Sequence, residues 1–313
     1  MLLAICIMYD VIVIGSGSAG YTATVYSCRA GRKTLLIAGS ISGGQLMLTS
    51  DVENFPGFPK GILGPELMEN MRKQAERFGP DIVFDDASEI DFKTRPLKVK
   101  VGNTWHEGRA AIVATGASAK WLGLPSESRL RGKGVSSCAT CDGFFFRGKE
   151  VVVVGGGDTA MEEANFLANI VAKVTVIHRR DKLRASQIMQ DRAVKNPKIS
   201  FIWDSAISEV MGDTKVTGVR VSDLKTGSVS VLGTDGVFVA IGYEPNTSLF
   251  KGTLELDSRG YVITRNETET NIPGVFAAGD VRDHRYRQAI TAAADGCKAA
   301  IDADRFILEE HGQ

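Results

Sequence analysis

The sequence predicts an α/β fold made of two doubly wound domains, the second inserted into the first. Two observations support this prediction. The chain has 313 residues, which is the length of two domains of about 150 residues each. Two apolar runs, 9–14 and 151–154, are each followed at once by a glycine-rich turn and a helical pattern. Strands that alternate with helices in this way build parallel sheets.

The composition argues against several classes of protein. Lys and Arg together number 37, and so do Asp and Glu. A formal net charge of zero argues against a nucleic-acid binder whose affinity depends on a large positive charge. The 34 glycines exceed the usual share of about 7% of residues. Excess glycine indicates backbone that passes close to a ligand.

The cysteines indicate a reducing compartment. Of the five, only Cys138 and Cys141 lie close together in the sequence. An odd count in a chain of this length does not fit a secreted disulfide framework. We therefore expect a cytoplasmic protein with one special cysteine pair. Cys28 and Cys297 fall in predicted helices, where we expect them to be buried as small hydrophobic residues.

Residues 1–8 form a short apolar run. No Lys or Arg precedes it and no small-residue cleavage site follows it, so we do not expect a secretory signal. The run is also far shorter than the roughly 18 apolar residues of a membrane span, and we expect no membrane partner. Met8 is a second plausible start of translation, and the run is interpreted as a frayed extension of the first strand.

The first glycine-rich turn has the spacing of a dinucleotide-binding fingerprint. Residues 15–20 fit G-x-G-x-x-G, follow a strand and open a helix predicted over 19–29, and a second strand is predicted over 34–37. This is the strand–turn–helix–strand context that the fingerprint requires. The glycines permit a tight turn, and they let backbone N–H groups at the helix N-terminus face a pyrophosphate.

The pattern repeats in the second half of the chain. Residues 155–160 carry the same spacing with Ala160 in the third glycine position, followed by a helix predicted from Met161 towards Asn169. Residues 111–116 and 237–242 also correspond, each an apolar strand that ends in a small-residue turn. Two fingerprints with matching downstream strands predict two Rossmann-like dinucleotide-binding domains.

A third segment completes the first domain. Residues 272–280 are a predicted strand that ends in Gly279-Asp280, and a helix is predicted from near Arg287 to Leu308. An ionised Asp is a strong acceptor for a ribose or ribityl hydroxyl. The predicted domains are therefore 1–118 with 246–313, and 119–245.

The position about 20 residues after a fingerprint selects the ribose. After the second fingerprint it is occupied by His178, Arg179, Arg180 and Arg184, with no carboxylate at the strand end. Guanidinium groups bind phosphate in a bidentate way, so the 2′-phosphate of NADP fits better than NAD. The alternative is a solvated basic turn. The first strand end also lacks an acid, so the first nucleotide cannot be named from that position.

Cys138 and Cys141 form a C-x-x-C motif that is followed by Asp142. A zinc site would need two further ligands, but the sequence has no second cysteine pair and its four histidines are scattered. We therefore predict no metal and favour a redox pair with a lowered thiol pKa. Asp142 could move a proton, or it could be an ordinary turn residue.

Together these segments closely resemble the low-molecular-weight thioredoxin reductases over residues 9–308. The motifs that carry the resemblance are residues 43–46, 53–57, 138–145, 155–163, 178–184 and 287–290. The resemblance implies that each domain has three layers, with a parallel sheet and a β-meander. It also implies FAD in the split domain and NADPH in the inserted one. It also implies a homodimer and a thioredoxin-like protein disulfide as substrate.

The resemblance also implies the binding residues. FAD would contact Gly15, Gly17, Ser18, Ala19, Gly20, Gly44, Gln45, Asn54, Gly279, Asp280, Arg287, Gln288 and Ala289. NADPH would contact Gly157, Asp158, Thr159, His178, Arg179, Arg180, Arg184 and Ile241. In this family Cys141 resembles the flavin-facing thiol, Cys138 the thiol that exchanges with substrate, and Asp142 the acid–base residue.

The sequence departs from the family at two positions. Ser18 stands where the family usually has Pro, and Asp295 lies where a Gly-Ser-Gly-like stretch is common. The alternatives to a thioredoxin reductase are a flavin-dependent dithiol oxidase, or a reductase that uses a donor other than NADPH. A hydroperoxide-reductase flavoprotein would carry a further redox domain before Tyr9, and a flavin-bound redox sensor would not need the C-x-x-C beside a nicotinamide site.

Three aromatic residues, Phe144 to Phe146, follow the cysteine pair. Consecutive aromatic residues do not fit one face of a helix or strand, so we expect at least one at the surface. The resemblance implies that Phe144, Phe145 and Lys133 lie near the surface where a thioredoxin docks. The alternative is that all three aromatic residues belong to the core.

Overall fold

The computed structural model describes residues 8–49 and 51–310. These residues divide into two compact units. The first comprises the described residues up to Ser118 and from Glu244 onwards, and the second is Ala119–Tyr243. The sequence predicted the return to the first unit at 246, and the structure has it at Glu244. The apolar run before Met8 lies outside the described residues.

Strands and helices alternate after each glycine-rich turn, as the sequence predicts, whereas runs of consecutive strands follow further along each unit. The helices are α1 (Ser18–Arg29), α2 (Gly64–Glu76), α3 (Pro125–Leu130), α4 (Ala139–Asp142), α5 (Asp158–Ala168), α6 (Gln187–Lys195) and α7 (Ala289–Glu310). Short 3₁₀ turns occupy Gly44–Leu48, Gly143–Phe146, Ser248–Phe250 and Gly279–Val281. The strands are β1 (Met8–Ile14), β2 (Thr34–Ile37), β3 (Asp51–Val52), β4 (Ile62–Leu63), β5 (Asp81–Val83), β6 (Ala87–Asp91), β7 (Leu97–Val101), β8 (Thr104–Val113), β9 (Ala117–Ala119), β10 (Val135–Ser136), β11 (Glu150–Val154), β12 (Lys173–Ile177), β13 (Ile199–Ile202), β14 (Ser205–Gly212), β15 (Val216–Asp223), β16 (Val229–Gly233), β17 (Gly236–Val239), β18 (Tyr243–Pro245) and β19 (Val275–Ala277).

The first unit contains a sheet in the order β5-β2-β1-β8-β7-β6, with β19 also paired to β8. Strands β5, β2, β1, β8 and β19 pair in parallel, whereas β6, β7 and β8 form an antiparallel meander. One face of the sheet packs Val13 and Ile112 against α1 and α7. The other face packs Ile12 and Val113 against Phe250. The apolar runs are buried on both faces because helices and further chain cover a parallel sheet from both sides.

The second unit repeats this plan with a five-stranded parallel sheet in the order β10-β17-β11-β12-β13. Val151 and Val153 face a core that includes Met161 of α5. Val152 and Val154, which alternate with them, face the antiparallel strands β14, β15 and β16. The structure therefore confirms the predicted α/β fold with two three-layer, dinucleotide-binding-type domains.

The two segments where the chain crosses between the units are paired with each other. Strands β9 and β18 form a two-stranded sheet. The N–H of Asn246 donates to the carbonyl of Gly116 at 3.0 Å, and the hydroxyl of Ser118 donates to Oδ1 of Asn246 at 3.1 Å. Among the described residues, no helix is long and apolar enough to cross a membrane.

Candidate functional site

The turn between β1 and α1 is packed so closely that it admits only glycine at two positions. Gly15 has φ +109°, and a Cβ there would lie 2.3 Å from the carbonyl oxygen of Ala114. A Cβ on Gly20 would lie 1.8 Å from the carbonyl oxygen of Gly15. Beside Gly17, which caps α1, a Cβ would meet nothing within 4 Å. This open space at a helix N-terminus is of the kind that a phosphate group occupies.

Two further loops of the first unit lie against this turn. The Ser16 hydroxyl donates to the carbonyl of Ala38 at 2.5 Å and accepts from the N–H of Gly43 at 3.0 Å. A Cβ on Gly44 would lie 3.2 Å from Cα of Gly17. The structure therefore places Gly44 beside the first glycine turn, as expected for a second wall of one site.

The 3₁₀ turn Gly279–Val281 contacts the start of α1 from a third direction. Gly279 has φ +76°, and a Cβ there would lie 3.0 Å from Cβ of Ala19. The Oδ1 atom of Asp280 is buried without a hydrogen-bond partner among the described residues. Burial, and to a lesser extent the nearby Asp283 carboxylate, raises the pKa of Asp280 to about 7. A buried acceptor with no protein partner fits a ligand hydroxyl.

The start of α7 completes the first candidate site. The side-chain amide of Asn54 donates to Oε1 of Gln288 at 3.3 Å, which joins two residues that the sequence assigned to the same ligand. Arg287 has φ +49°, and the Gln288 amide also donates to its carbonyl at 3.1 Å. Ala289 is the first residue of α7. The segment that carries Asn54 and the start of α7 therefore meet at one hydrogen bond.

The turn between β11 and α5 has the same construction. A Cβ on Gly155 would lie 2.4 Å from the carbonyl oxygen of Ala240, so the turn contacts the segment that carries Ile241. A Cβ on Gly156 would lie 2.3 Å from the imidazole ring of His178. Gly157 caps α5 and, like Gly17, has open space beside it.

The basic loop after β12 is bound to this turn. The N–H of Arg184 donates to the carbonyl of Gly156 at 2.6 Å. The side chains of Arg179, Arg180 and Arg184 are exposed, and among the described residues none of them forms an ion pair with a carboxylate. Three cations without a protein counter-ion beside a helix N-terminus fit a phosphate group.

Two residues that the sequence assigned to the nicotinamide cofactor are engaged within the protein. Oδ1 of Asp158 accepts from the N–H and hydroxyl of Ser186, at 2.7 and 2.8 Å. His178 is buried, and its ring bonds to the carbonyl of Lys182 at 3.0 Å. Burial lowers the pKa of His178, and the neighbouring arginines lower it further. Both side chains therefore hold the basic loop in place.

The cysteine pair lies at the N-terminus of α4. Cys138 and Cys141 form a disulfide with a Cα–Cα distance of 5.3 Å, and both residues are partly exposed. The N–H of Cys138 donates to the Ser136 hydroxyl at 3.0 Å. In addition, Tyr243 donates its hydroxyl to the carbonyl of Ser137 at 2.6 Å. These bonds fix the segment that enters the disulfide.

Asp142 follows the disulfide directly. Its N–H donates to the carbonyl of Cys138 at 3.1 Å. Burial raises the pKa of Asp142, and a hydrogen bond with Ser136 partly offsets this effect. A carboxyl group with a raised pKa beside a disulfide is suited to hold and release a proton.

The aromatic residues after the disulfide divide between surface and core. Phe144 and Phe145 are exposed, at 54% and 36%, whereas Phe146 is buried. Phe146 packs edge-on against Phe238 with ring centroids 5.3 Å apart. The prediction of at least one surface aromatic is therefore confirmed, and Lys133 is exposed as well.

Comparisons with known proteins agree with this geometry. Residues 9–296 match the family model described as "Pyridine nucleotide-disulphide oxidoreductase". The chain is 54% identical over 301 residues to the thioredoxin reductase of Streptomyces coelicolor, covering 95% of this chain and 94% of the relative. It is also 54% identical over 304 residues to the thioredoxin reductase of Mycolicibacterium smegmatis, covering 97% of this chain and 98% of the relative.

The chain belongs to the thioredoxin reductase family.

The solved structures support the same placement. The crystal structure of thioredoxin reductase from Streptococcus pyogenes MGAS5005 matches with a TM-score of 0.93 and 42% identity, covering 96% of this chain and 99% of that one. The predicted resemblance is thereby confirmed. As a member of the thioredoxin reductase family the chain is an oxidoreductase, and the family names imply a flavin and a nicotinamide cofactor.

Proposed function

We propose that this protein transfers electrons from NADPH, through FAD and the Cys138–Cys141 disulfide, to the disulfide of a thioredoxin. The observation that supports this most directly is the composition of the second unit. It holds a partly exposed C-x-x-C disulfide together with a glycine turn whose neighbouring loop presents three arginines, none of which pairs with a carboxylate within the described part of the chain. A reductase of protein disulfides needs both features.

The first unit has residues that fit FAD. The open space beside Gly17 suits the pyrophosphate, and the unpartnered Oδ1 of Asp280 suits a hydroxyl of the ribityl chain. Gly44 lies against the same turn, and the Asn54–Gln288 pair supplies amide groups at the start of α7. Bound FAD would supply the two-electron chemistry that joins a nicotinamide to a dithiol.

The second unit has residues that fit NADPH. The open space beside Gly157 suits its pyrophosphate, and Arg179, Arg180 and Arg184 suit its 2′-phosphate. His178 and Asp158 act on this site by holding the loop, since their side chains are bonded within the protein. The absence of a carboxylate at the strand end removes the usual partner of an unphosphorylated ribose.

The thiol steps follow from the chemistry of disulfide exchange. Two electrons and two protons convert the Cys138–Cys141 disulfide to two thiols. The Cys138 thiolate attacks one sulfur of the thioredoxin disulfide, forms a mixed disulfide and releases a thioredoxin thiolate, which takes up a proton. The Cys141 thiolate then attacks Cys138 in the mixed disulfide, which restores the Cys138–Cys141 bond and releases the second thioredoxin thiolate. Asp142 holds and releases a proton beside the pair.

An anaerobic titration tests this proposal against its alternatives. NADPH is expected to bleach the flavin band fully only after two equivalents per flavin, because the flavin and the Cys138–Cys141 disulfide each accept two electrons. Addition of oxidised thioredoxin should restore the band. A flavin-dependent dithiol oxidase would instead be reduced by dithiols and reoxidised by oxygen. Reduction by another donor, with NADPH inert, would favour a reductase that has lost nicotinamide use.

We further propose a homodimer in the cytoplasm. The dimer is inferred from the resemblance to thioredoxin reductases, and light scattering of the purified flavoprotein tests it. The compartment is inferred from the cysteines, since Cys28 and Cys297 are free thiols and disulfide frameworks belong to oxidising compartments. Both are partly exposed, which corrects the expectation that they are buried.

A further inference from the structure

A buried carboxylate on α7 is bonded to the turn that carries Asp280. Asp295 is only 7% exposed. Its Oδ2 atom accepts from the N–H of Gly279 at 3.3 Å and from Nη1 of Arg282 at 2.8 Å. The two donors stand on either side of Asp280 in the chain. A single oxygen of Asp295 therefore ties both ends of the turn Gly279–Val281 to α7.

Arg282 is held from a second side as well. Its Nε donates to the hydroxyl of Thr264 at 3.0 Å, while its backbone N–H donates to the carbonyl of Gly279 at 3.0 Å. A guanidinium group that bonds through Nε and Nη1 at once has a fixed plane. Arg282 is thus a rigid partner for Asp295 and differs from a mobile surface cation.

The pair also balances charge where acidic groups are concentrated. Asp280 faces Asp283 on its own segment and Asp295 on α7, and both carboxylates disfavour a negative charge on it. Arg287 acts in the opposite direction. Removing one partner of a buried ion pair leaves an uncompensated charge, which is costly. Without Arg282, the Asp295 carboxylate would be such a charge, next to the residue that fits the ribityl chain.

We propose that Asp295 and Arg282 form a positioning pair of the flavin site: Asp295 fixes the turn that presents Asp280, and Arg282 neutralises the charge that Asp295 brings. This inference rests on the proposed function, because the flavin is the group that the turn would hold. The sequence flagged Asp295 as a departure from the family, and the structure supplies its partner.

The proposal predicts opposite effects of the two single substitutions on the flavin reduction potential. The reduced flavin carries more negative charge than the oxidised flavin, so a nearby cation favours reduction and a nearby anion opposes it. Arg282→Gln leaves the anion alone and should make the potential more negative. Asp295→Asn leaves the cation alone and should make it more positive. The double variant Arg282→Gln/Asp295→Asn should have a flavin reduction potential close to that of the parent protein.

The experiment uses the purified flavoprotein with photochemical reduction and a reference dye, so that neither NADPH nor thioredoxin is needed. We expect each single substitution to change the ratio of oxidised to reduced flavin at fixed potential by about tenfold, which is about 30 mV for a two-electron couple. FAD affinity of the apoprotein, measured by fluorescence quenching, should fall in both single variants because the turn loses a tie.

A matched control is available in the second unit. Arg220 forms an exposed ion pair with Glu209 at 3.0 Å, so Arg220→Gln removes the same charge far along the chain and should leave the potential unchanged. Arg282→Lys keeps the charge but not the planar fork, so it should keep the potential near that of the parent and still weaken FAD binding. It also serves if Arg282→Gln fails to fold.

The outcomes separate the inference from the function on which it rests. Shifts of the same sign in both single variants, or no shift in either, would overturn the positioning pair while FAD binding by the parent stands. Failure of the parent protein to bind FAD at all would overturn the proposed function itself. A double variant whose reduction potential lies as far from that of the parent as the more strongly shifted single variant would also count against the pair.

Discussion

The backbone N–H of Arg184 donates to the carbonyl of Gly156 at 2.6 Å, so the basic loop and the second glycine turn form one surface. Gly156 in turn has His178 directly beneath it, where a Cβ would collide with the ring at 2.3 Å. The exposed arginines therefore stand at a fixed place relative to the N-terminus of α5.

Arg179→Gln and Arg184→Gln should each weaken NADPH binding roughly ten- to hundredfold while NADH binding changes little. Only NADPH carries the 2′-phosphate, and a hydrogen bond between charged groups contributes about 1.5–3 kcal/mol. Dissociation constants for both nucleotides, measured by calorimetry, check this. Arg192→Gln on α6, also exposed, is the matched control and should change neither. Equal weakening of both nucleotides would remove the arginines from the phosphate site.

Cys138→Ser and Cys141→Ser should each abolish thioredoxin reduction and leave reduction of the flavin by NADPH intact. The first electron transfer precedes the disulfide, whereas every later step needs both sulfur atoms. Stopped-flow absorbance measures reduction of the flavin by NADPH, and a thioredoxin-coupled assay measures reduction of thioredoxin. Cys297→Ser, which replaces a free thiol, should keep normal turnover. Turnover in either Cys138 or Cys141 variant would refute the assigned pathway.

Asp142→Asn should lower turnover by roughly 10²–10⁴-fold if the carboxyl transfers a proton. Burial raises the pKa of Asp142, so its protonated form persists to a higher pH than in a free side chain. Activity that needs this proton should decline as the pH rises through the raised pKa, and that limb should be absent from the Asn variant. Turnover rates measured from pH 5 to 9 give both the size of the decrease and the decline with pH. An unchanged rate in the Asn variant would show that Asp142 is only a turn residue.

Asp280→Asn should stabilise the apoprotein at neutral pH. The folded pKa of Asp280 is about 7, above its ordinary value of 3.8, so the folded state holds the proton more tightly than the unfolded state. The contribution of this group to the free energy of unfolding is complete below about pH 4. It is lost as the pH rises towards 7, which lowers the free energy of unfolding by roughly 2–4 kcal/mol. Urea unfolding of the apoprotein at pH 5 and at pH 8 measures this change. The free energy of unfolding should fall less between the two pH values in the Asn variant than in the parent protein. Equal losses in the two proteins would contradict a pKa of Asp280 that is raised by burial.

Phe145→Ala combined with Lys133→Glu should raise the KM for thioredoxin while leaving reduction of a small synthetic disulfide nearly unchanged. Exposed aromatic side chains beside a reactive group are characteristic of protein-docking sites, and Phe145 is 36% exposed. Steady-state kinetics with both substrates provide the test. Phe84→Ala, an exposed aromatic in the first unit, should leave both substrates unaffected. Proportional loss with both substrates would indicate damaged folding.

The sequence predicted the parts of the fold that rest on local pattern. The helix after the second fingerprint was expected from Met161, yet α5 begins at Asp158, since Gly157 caps it and the fingerprint residues themselves enter the helix. The C-terminal helix was expected from near Arg287, and α7 begins at Ala289. The order of the strands in each sheet could not be predicted from the sequence, because it depends on contacts between residues far apart in the chain.

The sequence predicted which segments form the candidate sites, but it did not predict the contacts that their side chains make. His178 was assigned to the cofactor because of its place after β12, but its ring is buried under Gly156. Nothing in a linear sequence distinguishes a side chain that points outwards from one that packs beneath a turn. The Arg282–Asp295 bond likewise joins residues 13 positions apart, across a turn and onto a helix, where no helical or strand periodicity would pair them.

The pairing of β9 with β18 means that the chain leaves the first unit and re-enters it at one place. Asn246 is bonded to both Gly116 and Ser118 on the outgoing segment, so the two cut ends would be neighbours after excision of the insert. A short glycine-containing bridge from Ser118 to Glu244 could then close the gap. The first unit would become a continuous minimal scaffold that keeps its entire seven-stranded sheet.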